Sequence, residues 1–310
     1  MGAYGDNSVW ANTVLVPGGG NSAVALGGAI FRGSESGQIY YQGADGALQA
    51  AYWDGSTWQH GWLSDPFNPA QHVLGDIVSN EAGGNIFYFG ADGNIYHCYY
   101  DGGWINVTIP LWGGARMASD SNLSMNADGT KVAYKSADGT LSIIYKVAVG
   151  WSYYHSPLDF VDGTIRMNHA GDVVFYRGLD GKLRQHYFLG TSWHTRVVIA
   201  NGTEQLVDNT FDIKPDCTYN DAQIYFRGAD SHVYVAFSPD GNFPWVAGTV
   251  ICPGLLNDSQ KCLEGSHIRY SLGVVAYCAA SGYFEAYCYG YYGNITFANR
   301  HLDSAGNLII

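Results

Sequence analysis

The stretch QIYYQGADGALQAAYWDGSTW, residues 38 to 58, decides the fold. Two runs rich in aromatic and β-branched residues flank Ala44-Asp45-Gly46, and Trp58 follows a second turn at Asp54-Gly55. Its first half returns as IFYFGADGNI, VAYKSADGTL, VFYRGLDGKL, IYFRGADSHV and VAYCAASGYF. The central positions are Asp45, Asp92, Asp138, Asp180, Asp230 and Ser281, spaced by 47, 46, 42, 50 and 51 residues. A repeat of this length with strand-like content is the mark of a β-propeller or array.

Counting from the turn acid shows what one repeat does. Six residues before it stand Ile39, Ile86, Val132, Val174, Ile224 and Val275, all β-branched. Four before it stand Tyr41, Tyr88, Tyr134, Tyr176, Phe226 and Tyr277, all aromatic. Three after it come Leu48, Ile95, Leu141, Leu183, Val233 and Phe284; seven after it come Tyr52, Tyr99, Tyr145, Tyr187, Phe237 and Cys288. A period of two on both sides of a Gly turn predicts a β-hairpin with a buried face. Aromatics on the opposite face (Tyr40, Phe87, Phe175, Tyr225) predict strands covered on both sides, as in stacked sheets.

A Trp follows each hairpin (Trp58, Trp104, Trp151, Trp193, Trp245) and opens another extended run; a further strand precedes each hairpin. This gives four strands per repeat: an inner strand, the hairpin and an outer strand led by Trp. The sixth copy carries no such Trp, whereas SVWANTVLV near the start supplies a spare outer strand whose Trp10 stands 48 residues before Trp58. The expectation is an all-β, six-bladed β-propeller of four-stranded antiparallel blades. It forms a single domain over residues 1–310, with repeats of about 47 residues, and residues 6–16 complete the last blade.

The pattern resembles that of fungal fucose-binding propeller lectins and, more loosely, tectonin-type and bacterial propeller lectins. That resemblance implies carbohydrate binding without catalysis, in clefts between blades. It also implies an Arg just before the β-branched residue of the hairpin and a Glu five residues after the turn acid. This chain has Gln38, Asn85, Lys131, Val173, Gln223 and Val274 at the first position. It has Ala50, His97, Ile143, Gln185, Val235 and Ala286 at the second. The fucose chemistry therefore does not transfer by matching residues.

Sugar binding needs an aromatic ring for the apolar C–H face of a pyranose and polar side chains for its hydroxyls. The candidates of that type are Arg177 and Arg227, then Gln42, Trp53, Trp58 and Trp62, then His194 and Arg196. Each has a structural reading too: the Trp residues as packing between blades, the Arg residues as braces. No catalytic residue is assigned. DGSTW, residues 54 to 58, echoes the Asp box of sialidase propellers but is one residue short. A sialidase also needs three convergent Arg, a Tyr/Glu pair and an acid. A protein-interaction scaffold is the other alternative.

Composition narrows the partners. A formal net charge of -12 with 14% charged residues leaves no basic stripe for nucleic acid and no attraction to anionic membranes. No apolar run reaches the ~18 residues of a bilayer span. No cofactor motif and no metal-ligand spacing stand out. The expected partners are glycans or glycoconjugates, with homo-oligomerisation open. No signal peptide is visible at the start, and an extracellular location is favoured over others. Cys278 with Cys288, or Cys252 with Cys262, are candidate disulfides, against buried thiols as the alternative.

Overall fold

The structure, a computed structural model, describes residues 2–5, 10–13, 25, 30–32, 38–80, 82–111, 116–200, 203–208, 211–218, 222–228, 231–237, 246–249, 268–271, 274–278, 284–288, 301–302 and 308–309. The chain divides into two compact units, Met1–Val161 and Asp162–Ile310.

In the first unit, β1 (Gly2–Gly5) and β2 (Trp10–Thr13) form a two-stranded hairpin. The first sheet follows: β3 (Ile30–Arg32), β4 (Ile39–Gln42), β5 (Leu48–Trp53) and β6 (Trp58–Trp62), in that order and antiparallel. The second sheet repeats the plan with β7 (Val73–Ser79), β8 (Asn85–Gly90), β9 (Ile95–Tyr100) and β10 (Trp104–Ile109). The third is β11 (Ser124–Met125), β12 (Lys131–Lys135), β13 (Thr140–Lys146) and the front part of β14 (Trp151–Met167).

In the second unit the rear part of β14 lies beside β15 (Val173–Gly178), followed by β16 (Leu183–Leu189) and β17 (Ser192–Val197). A short ribbon of β18 (Ile199–Ala200) and β19 (Thr203–Glu204) leads to the fifth sheet. That sheet is β20 (Phe211–Ile213), β21 (Gln223–Arg227), β22 (Val233–Phe237) and β23 (Val246–Thr249). The last sheet has five strands: β24 (Arg269–Ser271), β25 (Val274–Cys278), β26 (Phe284–Cys288), β27 (His301–Leu302) and β28 (Leu308–Ile309).

Within each unit consecutive sheets pack face to face. Tyr40, Leu48 and Ala50 of the first sheet share a core with Ile77, Ile86, Tyr88 and Cys98 of the second. Phe87, Phe89 and Ile95 leave the other face of the second sheet and meet Val132, Tyr134 and Ile144 of the third. In the second unit Phe175 and Leu183 pack against Phe211, Ile224 and Phe226. Adjacent aromatics such as Tyr40 and Tyr41, or Phe87 and Tyr88, are buried together although they point to opposite faces. Each such ring stabilises the stack by about 2 kcal/mol.

The repeated acid is a turn builder. Asp45 accepts from the Ala47 amide (3.0 Å), Asp92 from Asn94 (3.0 Å) and Asp138 from Thr140 (3.1 Å). A short side chain that accepts two residues on closes an Asx turn. The next residue is Gly46, Gly93, Gly139 or Gly181, at φ of 85, 82, 86 and 75°. The fifth copy puts Ser231 there at φ 70°, a strain of about 1 kcal/mol, and Arg227 Nη2 donates to its hydroxyl at 2.6 Å.

Two expectations need correction. Cys278 faces Phe284 and Cys288 faces Val274, so the two cysteines sit at opposite ends of the hairpin. Four residues of strand separate them by about 13 Å, beyond the roughly 7 Å Cα limit of a disulfide. The place beside β26 is taken by β27 of the same C-terminal segment, and Trp10 pairs with Gly5. The described pairing therefore gives the sixth sheet its own outer strand rather than the N-terminal one. Cys252, Cys262, Trp245, Asp230 and Ser281 lie outside the described residues, as do positions 6–9 and 14–16.

Candidate ligand cleft

A cleft of about 510 Å³ opens between the first and second sheets. Alternation along β5 sends Ala50 and Tyr52 to this side, and register places Ala50 opposite Gly61 of β6. Two small residues thus face each other where side chains would otherwise meet. A Cβ at Gly61 or Gly84 would find nothing within 4 Å. The space is made by what these positions lack.

The walls are aromatic. Tyr52, Trp62 and Tyr100 are 40, 54 and 61% exposed, and Trp104 lies beside them. Tyr100 and Trp104 pair across β9 and β10, their rings 5.6 Å apart and inclined at 72°. Trp62 Nε1 donates to Asp45 Oδ2 at 2.8 Å, which fixes the indole. The floor is the turn 82–84, held because the buried Tyr40 hydroxyl donates to the Gly83 carbonyl at 2.6 Å and also reaches the Gln38 amide oxygen. Among the described residues none of the lining side chains is a carboxylate, an imidazole or a cation. The surface suits a neutral ligand with an apolar face and hydroxyls for phenol, indole and amide partners.

The equivalent place between the second and third sheets is filled. Asn85, His97, Tyr99 and Trp151 stand around this place where Gln38, Ala50, Tyr52 and Trp104 stand around the first cleft. His97 is 5% exposed. It stacks on Phe87 (4.5 Å, 6°) and Tyr99 (4.9 Å), meets the edge of Trp151 (5.3 Å) and bonds Asn85 Oδ1 through Nε2 at 2.9 Å. Burial, with a smaller push from the Lys146 charge, lowers its pKa to about 4.

The sequence-derived candidates scatter. Trp62 lines the cleft. Trp58 packs edge-on to the half-exposed Trp53 at 6.0 Å. Gln42, Arg177 and Arg227 occupy one repeat position and are engaged within the fold. Gln42 Nε2 donates to Val73 O (2.7 Å), Arg177 Nε donates to Val207 O (2.8 Å) while its Nη1 pairs with Asp162, and Arg227 Nη1 pairs with Asp208 (2.5 Å). Arg196 donates to Gln185 Oε1 (2.6 Å) and lies 4.7 Å over the Tyr187 ring, on which His194 also stacks.

Other constellations have structural explanations. Asp54 of DGSTW accepts from the Ser56 and Thr57 amides, the Ser56 hydroxyl and Gln59, which holds its carboxyl well below the usual range. Arg166, Arg177, Arg184 and Arg227 each face a different Asp. Ser142 Oγ lies 3.1 Å from His155 Nδ1, and His155 Nε2 lies 3.3 Å from Asp138. Sequence spacing gave no sign of this triad-like row, but Ser142 is fully buried and cannot meet a substrate. Among the described residues no group of three or more His, Cys, Asp or Glu is placed to hold a metal ion, and no helix is long and apolar enough to cross a membrane.

Tyr52, Tyr100 and Trp104 were not among the residues singled out from sequence. Tyr52 reads as a core position by its period, and Trp104 as a packing residue; the repeat itself was the available signal, since both recur.

No family model and no curated protein matches the sequence. Solved structures do. The SapL1 lectin, in complex with alpha methyl fucoside, aligns at a TM-score of 0.53 and 16% identity, covering 90% of this chain and 97% of its own. AofleA from Arthrobotrys oligospora aligns at 0.50 and 14%, covering 91% and 87%. The chain shares their all-β fold, and the first of them is a lectin, the class that the repeat pattern resembles.

Proposed function

We propose that this chain is a non-catalytic carbohydrate-binding propeller that takes a neutral glycan in the cleft between its first and second sheets. The observation that carries this reading is the cleft itself, an open space walled by Tyr52, Trp62, Tyr100 and Trp104. A pyranose stacks its C–H face on such rings and meets indole N–H, phenol and amide groups with its hydroxyls. Among the described residues the lining holds no carboxylate or imidazole to act as general acid and base. The fold likeness to a lectin crystallised with a fucoside supports the class of ligand, while Gln38 and Ala50 argue for a sugar other than fucose.

We read the six sheets as six blades of one ring over residues 1–310, the sixth completed by β27. A ring of like blades presents like clefts, and weak sites repeated around it would gain avidity on multivalent glycans. Glycan-array binding by the intact chain at several concentrations tests the reading. Signals on neutral glycans that free sugar competes away support it. Capture of one protein partner, insensitive to free sugar, favours a scaffold, and cleavage of a fluorogenic glycoside favours an enzyme.

A further inference from the structure

The first two intersheet clefts of the first unit are built from matching repeat positions, yet one is open and the other closed. The difference lies at the residue five positions after the turn acid. In the first repeat it is Ala50, opposite Gly61, and the cleft stays open. In the second it is His97, opposite Val107, and the ring lies between Phe87 and Tyr99, against the edge of Trp151. The surroundings of that imidazole are those a bound planar ligand would have. It has stacked faces, an aromatic edge, and a hydrogen bond from Nε2 to Asn85 at 2.9 Å.

We propose that this position is the gate of each cleft: Ala50 leaves the first site vacant for glycan, and His97 is a built-in occupant that makes the second a latent site. The assignment of glycan as the ligand of the first cleft rests on the function proposed above; the occupancy of the second cleft by His97 does not.

Removal of the plug exposes a space shaped by an imidazole. An apolar-walled cavity that the structure only partly closes binds a ligand of its own shape. Conversely, an imidazole at position 50 would project from β5 into the first cleft and take the part of it between Tyr52 and Trp104.

The test compares the intact chain with His97→Ala, Ala50→His and the double variant. The first probe is imidazole itself, read by thermal shift and by Trp fluorescence. Saturable stabilisation of His97→Ala, absent from the parent, is expected. The second probes are methyl α-L-fucoside, methyl β-D-galactoside and N-acetyl-D-glucosamine, read by calorimetric titration. For any sugar the parent binds, Ala50→His should weaken binding at least tenfold at the first cleft.

No response of His97→Ala to imidazole would overturn the proposal, as would unchanged sugar affinity in Ala50→His. Should no sugar bind the parent, the lectin reading falls while the imidazole arm still decides the plug. If His97→Ala fails to fold, the Ala50→His arm decides the gate, with saturable Trp quenching by any of the three sugars as its readout and undiminished quenching as the contrary result.

Discussion

Trp151 meets the imidazole of His97 edge to face, ring centroids 5.3 Å apart and planes at 80°. Trp104, its counterpart one repeat earlier, meets no imidazole and looks into an open cleft. Two copies of one design therefore differ in what they leave available, with Ala50 opposite Gly61 in the open one and His97 opposite Val107 in the closed one.

The buried imidazole makes stability depend on pH. Its native pKa of about 4 lies below the ordinary 6.5, so the unfolded chain takes up the proton first as pH falls. Phe87, Tyr99, Trp151 and Asn85 surround the ring, and Lys146 adds repulsion. The contribution is whole above pH 6.5 and is lost between 6.5 and 4, on the order of 3 kcal/mol. Urea unfolding at pH 7.5 and 4.5 should show that loss in the parent and a smaller one in His97→Gln. Equal losses in the two would contradict it.

Gly90 marks a tight approach. A Cβ there would lie 2.4 Å from the Tyr96 ring and 2.8 Å from the Ala70 carbonyl. Gly90→Ala should cost about 1–3 kcal/mol, read as a lower melting temperature. Gly61→Ala, with open space around it, should stay within roughly 0.5 kcal/mol while narrowing the cleft. A Gly90→Ala protein as stable as the parent would show that the Tyr96 ring and the turn at Ala70 can give way there.

Arg177 and Arg227 should behave as braces. Arg227 pairs with Asp208 at 2.5 Å and donates to Ser231, and Arg177 holds Val207 O and Asp162. Arg227→Ala should lower unfolding free energy by about 1–3 kcal/mol and leave glycan affinity within twofold. A stable Arg227→Ala protein that no longer binds glycan would instead make this arginine a ligand contact.

The hairpins were legible because their code is local. Ile39 and Tyr41, or Val132 and Tyr134, alternate at period two around an Asp-Gly turn, and the aromatic of each pair is buried in the described repeats. The cleft was not legible, because it is made by absence. Ala50 reads as a missing Glu, and Gly61 stands outside the repeat positions; only the register that sets them opposite each other creates room. Tyr52 has the period of a core residue, but it stands at the sheet margin and is 40% exposed. Gln42 and Arg227 read as candidate ligand contacts, with bracing as the other reading for the arginine, and nothing in one repeat shows the Val73 carbonyl or the Asp208 carboxylate that engages them. The outer strand of the last sheet was misplaced for a similar reason. The Trp that leads other outer strands is missing there, and β27 is only two residues long.

The cleft's part in recognition is tested most directly by titrating one array-positive neutral glycan into the parent and into Trp104→Ala. Trp104 forms one wall and pairs with Tyr100, so its loss should weaken binding at least tenfold, about 1.4 kcal/mol, and should also lower the melting temperature because the indole packs on the core of the first two sheets; the titration is run below the variant's melting transition. The same affinity in both proteins would contradict the account and place the ligand elsewhere.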